Sequence, residues 1–206
     1  MSRERLTATP SQTVGPFFHF GLVRESARAG RAREGAGTMA GPGTRGERIT
    51  LRIRVTDADG RPVPDALVEL WQADADGCYV RPADASTPAI ADAASGIDFW
   101  GFGRMPTSPD GTCVFETIRP GLVADPDGRF QAAHIDLCFF SRGLLRHLYT
   151  RLYFAGDDRL DEDVVLAGVP ADRRQTLLAT PVDGAPGHWS FELRLQGADE
   201  TVFFDL

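Results

Sequence analysis

"ITLRIRVTDADGRPVPDALVELWQ", residues 49–72, decides the fold. Its first seven residues alternate, with Ile49, Leu51, Ile53 and Val55 apolar and Thr50, Arg52 and Arg54 polar between them. A period of two is the signature of a strand with one buried face. Asp57-Ala58-Asp59-Gly60 supplies a turn, and the chain returns as a second strand after Pro64, where a proline removes no ladder hydrogen bond. Working outward, "CVFETI" (113–118), "HIDLCFF" (134–140), "HLYTRLYF" (147–154), "HWSFELRL" (188–195) and "TVFFDL" (201–206) are five further candidate strands with turns between them. Strand after strand at this spacing predicts a β-sandwich or barrel. The main helix expected is "PADRRQTLLA" (170–179), with proline near its start. Residues 1–24 read as an irregular arm, and residues 25–46, rich in Gly, Ala and Arg, as a mobile loop. The expectation is a single all-β domain, residues 25–206, behind that arm.

Composition narrows the function. The chain has 206 residues, and Lys plus Arg 22 against Asp plus Glu 29 gives a net charge of −7. That balance argues against nucleic acid and against an anionic membrane surface as partners. Apolar runs fall far short of the roughly 20 residues that span a bilayer. The start, "MSRERLTATPSQ", lacks the apolar core of a secretory signal. Cys78, Cys113 and Cys138 are too few and too irregularly spaced for a disulfide framework or a zinc cluster, so reduced thiols in a cytoplasm are expected.

The candidate site begins at "QAAHIDLCFF" (131–140). On a strand, residues i and i+2 share a face, so His134 and Asp136 point the same way. They can be two sides of a metal cage or a satisfied polar pair. His19, His147 and His188 have no ligand spacing with any neighbour. The acidic run "GDDRLDED" (156–163) lacks the glycine and glutamate offsets of a calcium loop and reads as a solvated turn entering a short helix.

Three pieces in order, "TPSQTVGPFFHFGL" (9–22), "DADGRPVPDALVELWQADADGCY" (57–79) and "DGTCVFETIRPG" (110–121), followed by "AAHIDL" and "TRLYF", resemble the intradiol ring-cleaving dioxygenases. The N-terminal arm and the C-terminal "ETVFFD" resemble most closely the α-type chains of members built from paired α and β subunits. The resemblance implies a mixed-topology sandwich with short helices and long loops at its rim. It implies a non-haem Fe(3+) held, in catalytic members, by two tyrosinates and two histidines. Hard anionic oxygens suit a ferric ion. It also implies O2-dependent opening of a catechol ring between its hydroxyl-bearing carbons.

Position by position, the resemblance puts Tyr79 at the first tyrosine and Val123 at the second. The His-x-His pair reads His134-Ile135-Asp136, and the Trp-Arg-Pro-Ala-His pattern reads Phe130-Gln131-Ala132-Ala133-His134. Valine has no donor atom, so no metal is expected on this chain. Tyr79, Val123, His134 and Asp136 are then relic positions, and the iron belongs to a β subunit. By the same resemblance the arm packs on that partner, and Gly15, Pro16 and Phe17 line its substrate site. Arg142 offers a guanidinium to the carboxylate of protocatechuate. Two other readings stay open: an independent intradiol enzyme with a modified iron site, and a non-catalytic binding sandwich.

Overall fold

The computed structural model describes residues 9–22, 37–79, 99–125 and 127–205, with only the backbone at 19 and 20. Among the described residues ten strands run in chain order: β1 (Arg48–Thr56), β2 (Leu67–Trp71), β3 (Phe102–Pro106), β4 (Thr112–Ile118), β5 (Val123–Ala124), β6 (Phe130–Gln131), β7 (His134–Phe140), β8 (Leu148–Phe154), β9 (Leu178–Pro181) and β10 (His188–Arg194). Eight of them form one sheet in the order β3-β2-β7-β8-β9-β10-β1-β4, and β5 and β6 pair separately. The β8–β9 and β1–β10 pairs are parallel and the rest antiparallel, which makes the topology mixed.

The sheet folds over on itself because both halves feed one hydrophobic cluster. Ile49, Leu51, Ile53 and Val55 of β1, Phe115 of β4 and Phe191 and Leu193 of β10 pack with Val68 and Leu70 of β2, Ile135, Leu137 and Phe139 of β7, and Leu152 and Phe154 of β8. Burying each such side chain contributes about 1.5–3 kcal/mol, so the alternation in β1 is also its main source of stability. The expected all-β sandwich is what the chain adopts.

Three local expectations need correction. Residues 170–179 are not a helix: a 3-10 turn at Arg174–Leu177 leads straight into β9. Leu178 and Ala179 are taken by parallel pairing with Tyr153 and Phe154, and this pairing joins the two halves. "TVFFDL" contributes only an isolated bridge from Phe204 to Tyr149. Of the loop 25–46, residues 37–41 are packed: Met39 is fully buried in the core, and its N–H donates to Glu116 O along the edge of β4 (2.8 Å). Residues 25–36 lie outside the described residues. The acidic run does enter a short helical turn, α1 (Val164–Ala167), capped by Asp163. Among the described residues no helix is long and apolar enough to cross a membrane.

One turn recurs. Asp57, Asp74 and Asp125 each accept, through Oδ1, the N–H groups two and four residues on, and the glycine three residues on donates back to the aspartate carbonyl. Ser108 starts a fourth turn with the same main-chain bonds. Each closes on a glycine at positive φ: Gly60, Gly77, Gly111 and Gly128.

Residues 9–22 of the arm lie on this chain's own domain, from the far end of β7 to the edge strand β3. Thr13 Oγ1 accepts the Gly143 N–H (2.7 Å), Phe18 packs on Phe140 with ring centroids 6.3 Å apart, and Leu22 O accepts from Arg104 (3.4 Å).

Candidate functional site

The site forms where two turns dock backbone to backbone. The β2 strand runs into the Asp74–Gly77 turn, which delivers Tyr79, and the strand β4 runs into Arg119-Pro120-Gly121, which delivers Val123. Gly121 N–H donates to Asp74 O (2.8 Å). A Cβ on Gly77, at φ +79, would strike the Leu122 carbonyl, and one on Gly121 would strike that of Ala75. Only glycine permits this approach. Buried Gln72 ties the turns together, donating to Ile118 O (2.9 Å) and accepting from Thr117 Oγ1 (2.7 Å).

Tyr79, His134 and Asp136 converge as the strand period and the resemblance predict. Tyr79 Oη lies 3.3 Å from His134 Nε2 and 3.2 Å from Asp136 Oδ2. His134 and Asp136 do not pair directly, being 4.0 Å apart; the tyrosine hydroxyl lies between them and donates its one proton to Asp136 Oδ2. His134 Nδ1 is 2.7 Å from Ala132 O, and only the protonated nitrogen can donate there, so Nε2 carries the lone pair. Ala132 N–H in turn donates to buried Asp163 (2.9 Å), which also accepts from Tyr153 Oη (2.9 Å) and from two N–H groups of α1.

Sequence reasoning missed Arg151. It sits directly opposite Asp136 in the β7–β8 register, donates Nε to Asp136 Oδ1 (2.7 Å) and Nη1 to Gln131 Oε1 (2.7 Å). The available signal was a charged residue amid the apolar positions of "LYTRLYF". Val123 lies opposite Gln131 in the β5–β6 ladder, so the position without a donor borders the same network.

The electrostatics follow from burial and these partners. Burial first, then the negative charge of Asp136, push the Tyr79 phenol up to about 12, with Arg151 opposing. Burial, aided by Arg151 and opposed by Asp136, holds His134 below its ordinary 6.5. The cluster therefore stands at neutral pH as a phenol, a neutral imidazole and a carboxylate–guanidinium pair.

A ferric ion does not fit it. Tyr79, His134 and Asp136 offer acceptable donor types, but Val123 offers none, and a fixed positive charge already holds Asp136.

Arg142 is exposed beside Gly143, which the arm's Thr13 grips, so Arg142 and Gly15-Pro16-Phe17 gather at the same end of the domain. Phe17 is 74 % exposed. Six strand steps separate Phe140 from His134, about 20 Å at 3.3 Å per residue. Thr13, Phe18 and Arg142 are therefore distant from this chain's own cluster, whereas Leu22 meets Arg104, which pairs with Glu69 one outward position from Trp71. Of the other histidines, His147 stacks between Phe140 and Tyr149, and His188 is exposed.

The outer faces of the two half-sheets differ. Outside β1, β4 and β10 stand Arg48, Arg52, Glu116 and Glu192, exposed and charged. Across β3-β2-β7-β8 runs the row Phe102, Trp71, Asp136, Arg151, each directly opposite the next. Trp71 is 51 % exposed with its ring 4.7 Å from Phe102, and the charges beside it are paired, Arg104 with Glu69 and Arg151 with Asp136.

Residues 24–197 match the family profile described as Dioxygenase. The chain is 39 % identical over 207 residues to the protocatechuate 3,4-dioxygenase alpha chain of Burkholderia cepacia, covering 98 % of each. It is 36 % identical over 163 residues to the beta chain from the same organism, covering 76 % of this chain and 67 % of that one. Among solved structures, the dioxygenase domain of a carbohydrate-binding fusion protein from Streptomyces sp. SirexAA-E superposes with a TM-score of 0.59 at 25 % identity, covering 93 % of this chain and all of that one.

Proposed function

This chain belongs to the intradiol dioxygenase family, and on that premise we propose that it is the α-type subunit of a protocatechuate 3,4-dioxygenase, working with a β-type partner that holds the Fe(3+). The reaction of the pair is O2-dependent cleavage of protocatechuate to 3-carboxy-cis,cis-muconate. The observation that carries this reading is the separation within one chain. Its relic cluster lacks a donor at Val123, while Arg142 and the arm around Thr13 and Phe18 stand beyond the other end of β7, about 13 Å along the strand from Asp136 and about 20 Å from His134. That separation supports giving these side chains a role in another chain's site.

In the pair, Gly15 and Pro16 bring the arm's backbone close to the bound ring, and Phe17 forms an apolar wall. Arg142 offers paired hydrogen bonds to the substrate carboxylate. The partner seats on the outer face of β3-β2-β7-β8. Aromatic side chains and internally paired charges suit a lasting interface, whereas the charged face of β1, β4 and β10 suits solvent. A β-type chain of the same fold is the occupant this reading requires. Cys78 is exposed and unpaired, which fits a reducing cytoplasm.

The test is expression of the chain alone and with a β-type chain. The pair should cleave protocatechuate and carry iron, and the chain alone should do neither. Arg142→Ala in the pair should raise KM for protocatechuate several-fold with kcat nearly unchanged. Iron and turnover in the chain alone would overturn the reading in favour of an independent enzyme.

A further inference from the structure

The geometry points to Arg151 as the residue that stands in for a metal cation: its guanidinium holds Asp136 from within the chain and so closes a three-donor site that would otherwise accept a transition-metal ion. This inference rests on the reading above that the unaltered chain carries no iron.

The donor triangle is already formed. Tyr79 Oη, His134 Nε2 and Asp136 Oδ2 are separated by 3.3, 3.2 and 4.0 Å. Two ligands each about 2.0–2.2 Å from a tetrahedral ion lie roughly 3.3–3.6 Å apart, so these edges approximate one face of such a site. The support behind it is also in place. Nδ1 of His134 is spent on the Ala132 carbonyl at 2.7 Å, which leaves Nε2 as a lone-pair donor, and ligating imidazoles are commonly oriented in this way. Ala132 is anchored in turn by Asp163 (2.9 Å).

What occupies the electrostatic role of the ion is Arg151. Its Nε lies 2.7 Å from the other oxygen of the same carboxylate, and Nη1 is held 2.7 Å from Gln131 Oε1, so the head group is fixed at two points. Its side chain is 16 % exposed, and water screens it little. A positive charge this close to the triangle opposes any cation entering it. Val123 supplies no fourth ligand, so water would complete the coordination of an ion that did enter. Binding through Tyr79 would release the phenolic proton to solvent and leave a phenolate on the metal.

The experiment uses the untagged full chain, with Zn²⁺ followed by calorimetry and ferric citrate followed by visible absorbance. Unaltered chain and Arg151→Lys, which keeps the charge, should take up neither ion stoichiometrically. Arg151→Gln should bind one Zn²⁺ per chain roughly a hundredfold more tightly than the unaltered chain. With iron it should develop a phenolate-to-iron band, and the additional Tyr79→Phe should abolish that band. Arg151→Met serves as a second neutral variant. If either neutral variant fails to fold, Zn²⁺ should restore its far-ultraviolet dichroism, and a folding failure that Zn²⁺ does not rescue counts against the proposal. Equal metal uptake by the Lys and Gln variants, or none by Gln, overturns it and leaves the subunit assignment intact. Stoichiometric iron on the unaltered chain overturns both.

Discussion

Asp163→Asn tests the buried support beneath the site. The carboxylate is fully buried and accepts four hydrogen bonds: Ala132 N–H at Oδ2, and Tyr153 Oη, Val165 N–H and Leu166 N–H at Oδ1. A carboxamide has one acceptor end. With its oxygen toward α1 and Tyr153, its NH2 faces the Ala132 N–H, donor against donor; reversed, it faces three donors. The first orientation costs less and leaves one buried N–H unmet, about 2–3 kcal/mol. Asp163→Ala removes the helix cap as well and strands Tyr153 Oη, about 4 kcal/mol or more. For a chain of this length each kcal/mol lowers Tm by about 2–4 °C, so Asn should cost roughly 5–10 °C and Ala clearly more. The assay is urea unfolding of the full chain followed by tryptophan fluorescence, with a thermal melt alongside. Tyr153→Phe removes one of the same bonds and should be less than additive with Asp163→Asn. A loss below about 1 kcal/mol for Asn, or equal losses for Asn and Ala, would refute the four-bond account.

Gly121→Ala should destabilise the chain by more than about 3 kcal/mol, because the added methyl meets the Ala75 carbonyl and Gly77 N, neither of which can swing aside; Gly60→Ala, whose Cβ meets nothing, should cost only about 1–2 kcal/mol in the same unfolding assay, for holding an L residue at φ +75. All three tyrosines are raised above their ordinary 10: Tyr79 to about 12 by burial and then Asp136, Tyr153 by burial, and Tyr149 by the neighbouring Cys138 and then burial. Since the folded pKa exceeds the unfolded one, Tyr79's contribution to stability is full below pH 10 and is lost as pH rises toward 12. The folded chain should therefore show clearly less phenolate absorbance at pH 10 than the unfolded chain, which is half ionised there. His134 is shifted the other way, so its contribution is full above pH 6.5 and falls as pH drops below it; at pH 6.5, where a free imidazole is half charged, nuclear resonance should find the ring mostly neutral with its proton on Nδ1. Trp71→Glu should weaken association with the β-type partner by tenfold or more while leaving the chain's own melting point nearly unchanged, and Val114→Glu on the opposite outer face should leave both nearly unchanged.

The sequence announced elements whose physics is local. Alternation in Ile49 to Val55 is written in the order of residues, and so is the shared face of His134 and Asp136. Strand β3 escaped because Gly103 and Pro106 break any apolar alternation and its pairing comes only from β2 at the sheet edge. Leu177 and Leu178 suggested a helix, yet one caps a core and the other completes a parallel pair with β8, a demand made by residues more than twenty positions away. Arg151 stayed hidden for the same reason. Nothing within "TRLYF" names Asp136, and only the β7–β8 register sets the two face to face.

The recurring turn has a consequence for how the molecule ages. Among aspartyl dipeptides, aspartate followed by glycine is the most prone to cyclise, as the glycine nitrogen attacks the side-chain carboxyl before it, water leaves, and the succinimide reopens largely as isoaspartate. Four such steps, at 59–60, 76–77, 110–111 and 127–128, fall at these turns, and in each the glycine nitrogen is already engaged with a carbonyl three residues back. A nitrogen so tethered cannot swing onto its neighbour. Isoaspartate should accumulate slowly at these sites during storage of the folded chain and much faster in urea, with the step at 76–77, wedged against Leu122, the slowest of all.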